Sequence, residues 1–286
     1  MTDQVKSTDK KIVWLASYPK SGNTWTRLFL TSYIADQDEF DPNEALKGSM
    51  HDASRSLMKK TIGVDTQGLD NRVISGMRAG YLAKLAESGP ADILIKSHVA
   101  NAFWNGVPMI PPALTRAAIY IVRHPFDVAV SFAKHMHFSV DEAIEAMNNP
   151  DFKLGSDKQV PQPMSSWSKH VMSWLETNQF PRICLRYEDM HRYPGLVFNN
   201  VLGMMRLATN SERLSKSLEQ VAFRRMQKIE AEHGFNEKPT NGMEVFFAEG
   251  KIGTWREVLS KDQIQRLWRD HEQAMTLLGY GPDGEY

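Results

Sequence analysis

The sequence predicts an α/β fold, and three observations carry that expectation. Short apolar runs that suit buried strands alternate with longer stretches whose apolar positions recur at helical spacing. The length of 286 residues suits one large α/β domain or two small ones. No linker or internal repeat divides the chain, which leaves 12–286 as one domain behind a polar arm at 1–11 that reads as flexible.

Composition narrows the function classes. Lys and Arg number 34, as do Asp and Glu, so no net field draws the chain to nucleic acid or to an acidic membrane. The one cysteine, Cys184, excludes an intramolecular disulfide and a Cys-rich metal centre; within Ile183-Cys184-Leu185 it reads as a small hydrophobe in a buried strand. The histidines show no H-E-x-x-H or comparable spacing, so no metal is expected. The N-terminus lacks an apolar signal region and no run of apolar residues is long enough to span a bilayer, so a cytoplasmic protein with no membrane span is expected.

The first strand is the apolar run Ile12-Val13-Trp14-Leu15-Ala16-Ser17, followed by Tyr18-Pro19-Lys20-Ser21-Gly22-Asn23-Thr24-Trp25 and a helix from Thr24 to Ile34. In a strand–loop–helix order, the loop N–H groups lie at the positive end of the helix dipole, where an anion is favoured. Gly22 permits close backbone approach, Lys20 brings a mobile cation, and Ser21, Asn23 and Thr24 bring donors. A mononucleotide P-loop places its Lys directly after the second Gly of G-x-x-x-x-G-K-[ST]. Lys20 instead precedes the only loop glycine by two residues, so that pattern fails in detail while the anion-loop architecture stands.

Residues 36–69 read as irregular, broken by Pro42, Gly48, Gly63 and Gly68, and serve either as a lid or acceptor-binding insertion or as a surface loop. A helix is expected over 72–87, and a second strand over 92–96 that runs into Ser97-His98-Val99. Ligands of open α/β sheets bind outside the carboxyl ends of the strands, which places His98 on the same rim as Lys20. Phe103-Trp104 and the Pro-rich 108–112 stretch either line a pocket or cap the core. The third strand, 118–123, is the most β-prone run and ends at Arg123; Pro125 suits the first turn of a helix continuing through Ser131 to His137. Arg123 has the fork that meets phosphate bidentately. Helices follow at 139–147 and 164–177, separated by a loop at 150–163, with Trp167 and Trp174 on one core-facing side. The fourth strand, 182–190, precedes helical stretches at 191–205 and 211–232, a mobile Gly- and Asn-bearing region at 233–250, and a last helix over 261–278.

Six separated segments, in order, resemble the cytosolic sulfotransferases, which take sulfate from 3′-phosphoadenosine 5′-phosphosulfate (PAPS). The 18–25 loop resembles that family's 5′-phosphosulfate loop. Lys96-Ser97-His98-Val99 resembles the segment carrying its general base, and the span from Arg123 to Ser131 resembles its 3′-phosphate segment. Tyr187-Glu188-Asp189-Met190 resembles a stretch whose Tyr contacts the nucleotide, and Val221 to Met226 one whose Phe, here Phe223, packs on adenine. Gly250 to Arg256 resembles an Arg-Lys-Gly-x-x-Gly-Asp-Trp-Lys segment but departs from it. Ala248 and Glu249 stand where the two cations would be, and Thr254 where the Asp would be, which leaves Lys251 as the substitute cation.

The resemblance implies a central parallel sheet flanked by helices, kinase-like in plan, with PAPS as co-substrate, PAP (3′-phosphoadenosine 5′-phosphate) as product and a small-molecule acceptor. It implies catalytic roles for Lys20, Lys96, His98 and Ser131. Nucleotide contacts are implied for Lys20, Ser21, Gly22, Asn23, Thr24, Trp25, Arg123, Ser131, Tyr187, Phe223, Gly250 and Lys251. An ATP- or GTP-dependent small-molecule kinase and a non-catalytic nucleotide-binding protein stay open at this point. The acceptor, whether phenol, alcohol, amine, glycan or natural-product scaffold, cannot be read. The family's dimer segment, Lys-x-x-x-Thr-Val-x-x-x-Glu, falls on Arg256, Ser260, Lys261 and Gln265, so the sequence does not support that interface.

Overall fold

The computed structural model describes residues 11–89, 91–238, 245–247 and 250–285. The chain runs β1 (Ile12–Ser17), α1 (Asn23–Ala35), α2 (Pro42–Leu46), β2 (Met50–His51), α3 (Arg55–Ile62), α4 (Asn71–Ala86) and β3 (Ile93–Ser97). A small hairpin, β4 (Phe103–Trp104) and β5 (Val107–Pro108), precedes β6 (Thr115–Val122), α5 (Pro125–Met136) and α6 (Val140–Asn148). A second hairpin, β7 (Lys153–Ser156) and β8 (Gln159–Pro163), leads to α7 (Trp167–Leu175), β9 (Arg182–Arg186), α8 (Tyr187–Arg192) and α9 (Pro194–Met204). The chain closes with α10 (Ser211–Gln220), α11 (Phe223–His233), a 3-10 turn (Thr254–Glu257) and α12 (Lys261–Leu277).

The central sheet has five parallel strands in the order β2-β3-β1-β6-β9. All six residues of β1 are buried, as expected of a strand covered on both faces. Its side chains alternate between two cores. Ile12, Trp14 and Ala16 pack with α4, α5, α6, α7 and α12, whereas Val13 and Leu15 pack with α1, α9, α10 and α11. Trp167 and Trp174 are both fully buried, consistent with the core-facing spacing. No helix among the described residues is long and apolar enough to cross a membrane.

Parallel strands place all their carboxyl ends on one rim. His51 ends β2, His98 follows β3, Lys20 follows β1, Arg123 follows β6 and Tyr187 follows β9. Five short strands thereby bring together residues spread over more than half the chain.

Four expectations are corrected. The 36–69 stretch is structured: it holds α2, the edge strand β2 and α3, whose Ser54 N-cap accepts from Leu57 N–H and whose Gly63 closes the helix at φ 74°. A two-residue strand carries no readable periodicity, which hid the fifth strand. The 150–163 loop is a hairpin, pinned through Arg55 N–H to the Lys158 carbonyl (3.1 Å) and Val160 N–H to the Ala53 carbonyl (2.8 Å). The fourth strand stops at Arg186, and Tyr187 opens a helix. Cys184 is exposed, because it lies on the outermost strand of the sheet. Residues 1–10 of the arm, much of 233–250, and Ala248 and Glu249 lie outside the described residues.

Candidate active site

The rim encloses a cavity of about 860 Å³, within the range of small-molecule sites. Its floor is the turn from β1 into α1. Gly22 takes the left-handed conformation at φ 105° and caps α1 without a side chain, so side chains satisfy none of the first-turn N–H groups. A Cβ at Gly22 would lie 2.8 Å from Tyr187 Cδ2, so the glycine is needed for close approach as well as for φ. Ser21 Oγ is buried with no hydrogen-bond partner among the described residues. A buried unpaired hydroxyl at an uncapped helix N-terminus is an arrangement that can receive an anion.

Lys20 holds φ 67° and places Nζ 4.7 Å from the Phe246 ring centroid. Burial, then the charge of Arg123, lower its ammonium pKa to about 8. An anion beside it would offset both effects. Lys96 also lines the cavity and is lowered to about 8, by burial and then by Arg27.

His98 is held by one bond that decides its chemistry. Its Nδ1 lies 2.8 Å from the Ser17 carbonyl oxygen, which can only accept, so Nδ1 carries the proton and Nε2 keeps a lone pair. Burial, then the charge of Lys96, pushes its pKa well below the usual histidine value, so the imidazole is neutral at pH 7.

Arg123 sits behind the loop. Its Nη1 donates to the Lys20 carbonyl (3.1 Å) and its Nη2 to the Lys251 carbonyl (3.0 Å), while its guanidinium lies 4.6 Å from the Tyr187 ring centroid. Its Nε is buried without a partner among the described residues. Ser131 lines the same cavity from α5. Asp127, inside the same segment, is structural: it accepts from Gly253 N–H (2.7 Å), the Thr254 hydroxyl (3.0 Å) and Trp255 N–H (3.2 Å), fastening the 250–256 turn to α5. Glu188 likewise accepts from His124 N–H (3.0 Å) and the Tyr280 hydroxyl (2.7 Å), joining the exits of β6 and β9.

Trp25, Tyr187 and Phe223 form an aromatic side of the cavity. Trp25 packs against Tyr187 and His191, at 6.2 and 4.9 Å between centroids. Gly250, at φ 55°, lets the turn pass over Phe223, where a Cβ would approach ring atoms to 2.2 Å.

Some expected residues take other roles. Asn23 turns its amide inward to the Leu15 carbonyl (3.0 Å) and accepts from Arg27 Nε (3.2 Å), so it braces the loop with its side chain and can offer a ligand only its backbone. The Thr24 hydroxyl donates to Glu237 (3.3 Å) and accepts from Arg27 (2.9 Å). The Lys251 side chain is exposed and outside the cavity lining. Sequence reasoning missed Arg27 and Glu237, which form a two-pronged ion pair at 2.7 Å for each prong. Burial alone would raise the Glu237 carboxyl, but Arg27 holds it down at about 2. It also missed His51 and His135, both cavity-lining and both held neutral near pKa 4, chiefly by burial. Arg27 sits one helical turn after Asn23, and that spacing was the one signal available.

Comparison with known proteins bears on the family and the fold. A model of the sulfotransferase domain matches residues 10–279. Sulfotransferase 1B1 of Canis lupus familiaris is 24% identical over 279 residues, covering 92% of this chain and 82% of the relative. Amine sulfotransferase of Oryctolagus cuniculus is 23% identical, covering 92% and 80%. Among solved structures, retinol dehydratase in complex with retinol and PAP superposes with a TM-score of 0.62 at 15% identity, covering 93% of this chain and 81% of that one. Mouse sulfotransferase SULT7A1 complexed with PAP gives 0.59 at 18%, covering 94% and 88%. At those identities the structures speak for the fold, and the domain match over nearly the whole chain speaks for the lineage: the chain belongs to the sulfotransferase family.

Proposed function

We propose that the chain moves a sulfuryl group from PAPS to a hydroxyl or amine of a small-molecule acceptor by in-line displacement, with His98 as general base. The observation that carries this reading is the His98 Nδ1–H bond to the Ser17 carbonyl, which leaves Nε2 as a neutral base on the rim that also holds Lys20. The cavity fits a nucleotide bearing two anionic groups. Ser21 Oγ and Arg123 Nε are buried donors without partners among the described residues, one at the 18–25 loop and the other behind it. Gly22 and Gly250 leave room where a Cβ would collide with Tyr187 and Phe223. Two of the solved neighbours are PAP complexes, which favours a nucleotide of that kind.

When bound, PAPS supplies the sulfuryl group on its bridging oxygen. Nε2 of His98 accepts the acceptor's proton, a contribution of ~10²–10⁴-fold in rate for general bases, and the Ser17 carbonyl steadies the imidazolium that results. Lys20, with the uncapped N–H groups of α1, offsets the charge that grows on the leaving phosphate oxygen, and Lys96 adds positive potential at the same rim. Arg123 and Ser131 hold the 3′-phosphate, and the aromatic side formed by Trp25, Tyr187 and Phe223 takes the base.

The test is incubation of the purified chain with PAPS and a panel of phenols, alcohols and amines, with mass spectrometry for PAP and sulfated product and ATP run in parallel. Acceptor-dependent PAP formation is expected. Phosphate transfer from ATP, or PAPS binding with no transfer to any acceptor, would overturn the reading.

A further inference from the structure

His98 is not the only neutral imidazole on the rim. His51 ends β2, which lies parallel to β3 with His51 paired to Lys96. The His51 and His98 ring centroids are 6.0 Å apart, with the rings edge-on at 79°. Both residues line the cavity, and His51 keeps 14% of its side chain exposed there.

The protonation of His51 follows from a chain of bonds. Gln162 donates its amide N–H to Gln159 Oε1 at 2.9 Å, which directs Gln162 Oε1 to His51 Nε2 at 3.2 Å. An amide oxygen only accepts, so Nε2 carries the proton. Asp52 Oδ1, 3.7 Å from the same nitrogen, favours the same tautomer. Nδ1 is therefore the lone-pair nitrogen, and it makes no hydrogen bond among the described residues. Burial, then the charge of Lys96, lowers the His51 pKa to about 4, so the ring stays neutral in the working pH range. The hairpin that supplies Gln162 is itself fixed by backbone bonds to Ala53 and Arg55. The orientation of His51 is thus built in before any acceptor arrives.

The geometry points to an acceptor subsite at His51, whose Nδ1 receives a second hydroxyl next to the one that His98 deprotonates, so that the preferred acceptor is a diol or polyol. This rests on the sulfuryl-transfer reading and adds the acceptor class to it. Two neighbouring imidazoles each offer one acceptor nitrogen, and a pair of adjacent hydroxyls offers two donors. A mono-alcohol would leave one of the two unpaired in a partly dehydrated wall. Ser49, Ser156 and Gln159 also line the cavity, which is therefore not aromatic throughout.

The experiment compares matched acceptors: catechol against phenol, and cis-cyclohexane-1,2-diol against cyclohexanol. Wild type, His51→Phe and His51→Asn are assayed after PAP affinity has been measured for each by calorimetry. In wild type the diols should exceed the mono-alcohols in kcat/KM by roughly tenfold or more. His51→Phe keeps a ring without nitrogens; it should erase that preference through KM while leaving mono-alcohol turnover and PAP affinity within about twofold. His51→Asn restores an acceptor near the Nδ1 position and should recover part of the preference. With PAP binding intact and sulfate transferred to at least one acceptor, two outcomes overturn the inference alone: no wild-type preference, or equal loss on both acceptor classes in His51→Phe. No transfer to any acceptor overturns it together with the sulfuryl-transfer reading. Absence of PAP binding in wild type overturns it together with the donor reading.

Discussion

Replacing Arg27 with Met should destabilise the chain by a predictable amount. Arg27 is buried, and it makes two 2.7 Å bonds to Glu237 besides bonds to Asn23, Thr24 and Ser49. Removing one partner of a buried, hydrogen-bonded pair typically costs ~3–5 kcal/mol. Glu237 keeps 31% of its side chain exposed, so water relieves part of the stranded charge. The carboxyl is held from the ordinary glutamate value of 4.5 down to about 2. At ~1.36 kcal/mol per pH unit that net shift corresponds to roughly 3 kcal/mol, and solvent screening of the part-exposed carboxylate brings the expected loss to about 2 kcal/mol. The sign is fixed by linkage: a carboxyl depressed in the folded state stabilises fully above its unfolded value, and that stability is lost as pH falls through the folded value. Urea unfolding at pH 7 should therefore show the full deficit of Arg27→Met, shrinking between pH 4.5 and 2. Because Glu237→Gln removes the stranded charge, the double variant should recover at least about 1 kcal/mol. A single-variant loss under ~0.5 kcal/mol, or a double variant no better than the single, would refute the reasoning.

Three further outcomes are expected. Lys20 titrates at about 8 in the free protein; kcat/KM for PAPS should fall above that pH, and Lys20→Ala should depress kcat more than it raises KM, with a pure KM effect counting against a transition-state role. Arg123→Ala should weaken PAP by roughly tenfold to a hundredfold in calorimetry while hardly changing affinity for adenosine 5′-phosphosulfate, which lacks the 3′-phosphate. Lys251→Ala should stay near wild type because only the Lys251 carbonyl meets Arg123, and equal losses would refute that division. Gly250→Ala must place a Cβ on Phe223 at φ 55°, so PAP affinity should drop by about 1–3 kcal/mol, the worth of a base–aromatic stack, with kcat near normal at saturation; unchanged affinity would remove Phe223 from the base site.

What the sequence disclosed follows from how locally each feature is encoded. Lys20 and His98 each follow a run of β-prone residues, so the strand-end rule placed both on one rim; Arg123 was read at the end of its strand, whereas Tyr187 was read inside the fourth strand instead of just past it. His51 ends a strand of two residues, too short to leave a pattern, and its partner Gln162 comes from a hairpin whose prolines made it read as a loop. The Arg27–Glu237 pair joins positions 210 apart in sequence, which no local signal reports. Asn23 and Thr24 open α1, one residue before the helix start that the sequence suggested, and side-chain type alone cannot say whether a donor faces a ligand or braces its own turn. Asp127 and Glu188 lie inside segments read as nucleotide-binding or strand exit, yet their carboxylates fasten those segments to the scaffold.

The central claim is that His98 removes the acceptor's proton, and single-turnover sulfuryl transfer by His98→Ala tests it most directly. With PAPS prebound and acceptor in excess, the transfer rate should fall by ~10²–10⁴-fold while PAP affinity stays within about twofold. The wild-type rate should show its acid limb below pH 6.5, because burial and Lys96 hold His98 neutral down to that range. A variant that transfers sulfate at close to the wild-type rate would contradict the account and move the base elsewhere on the rim.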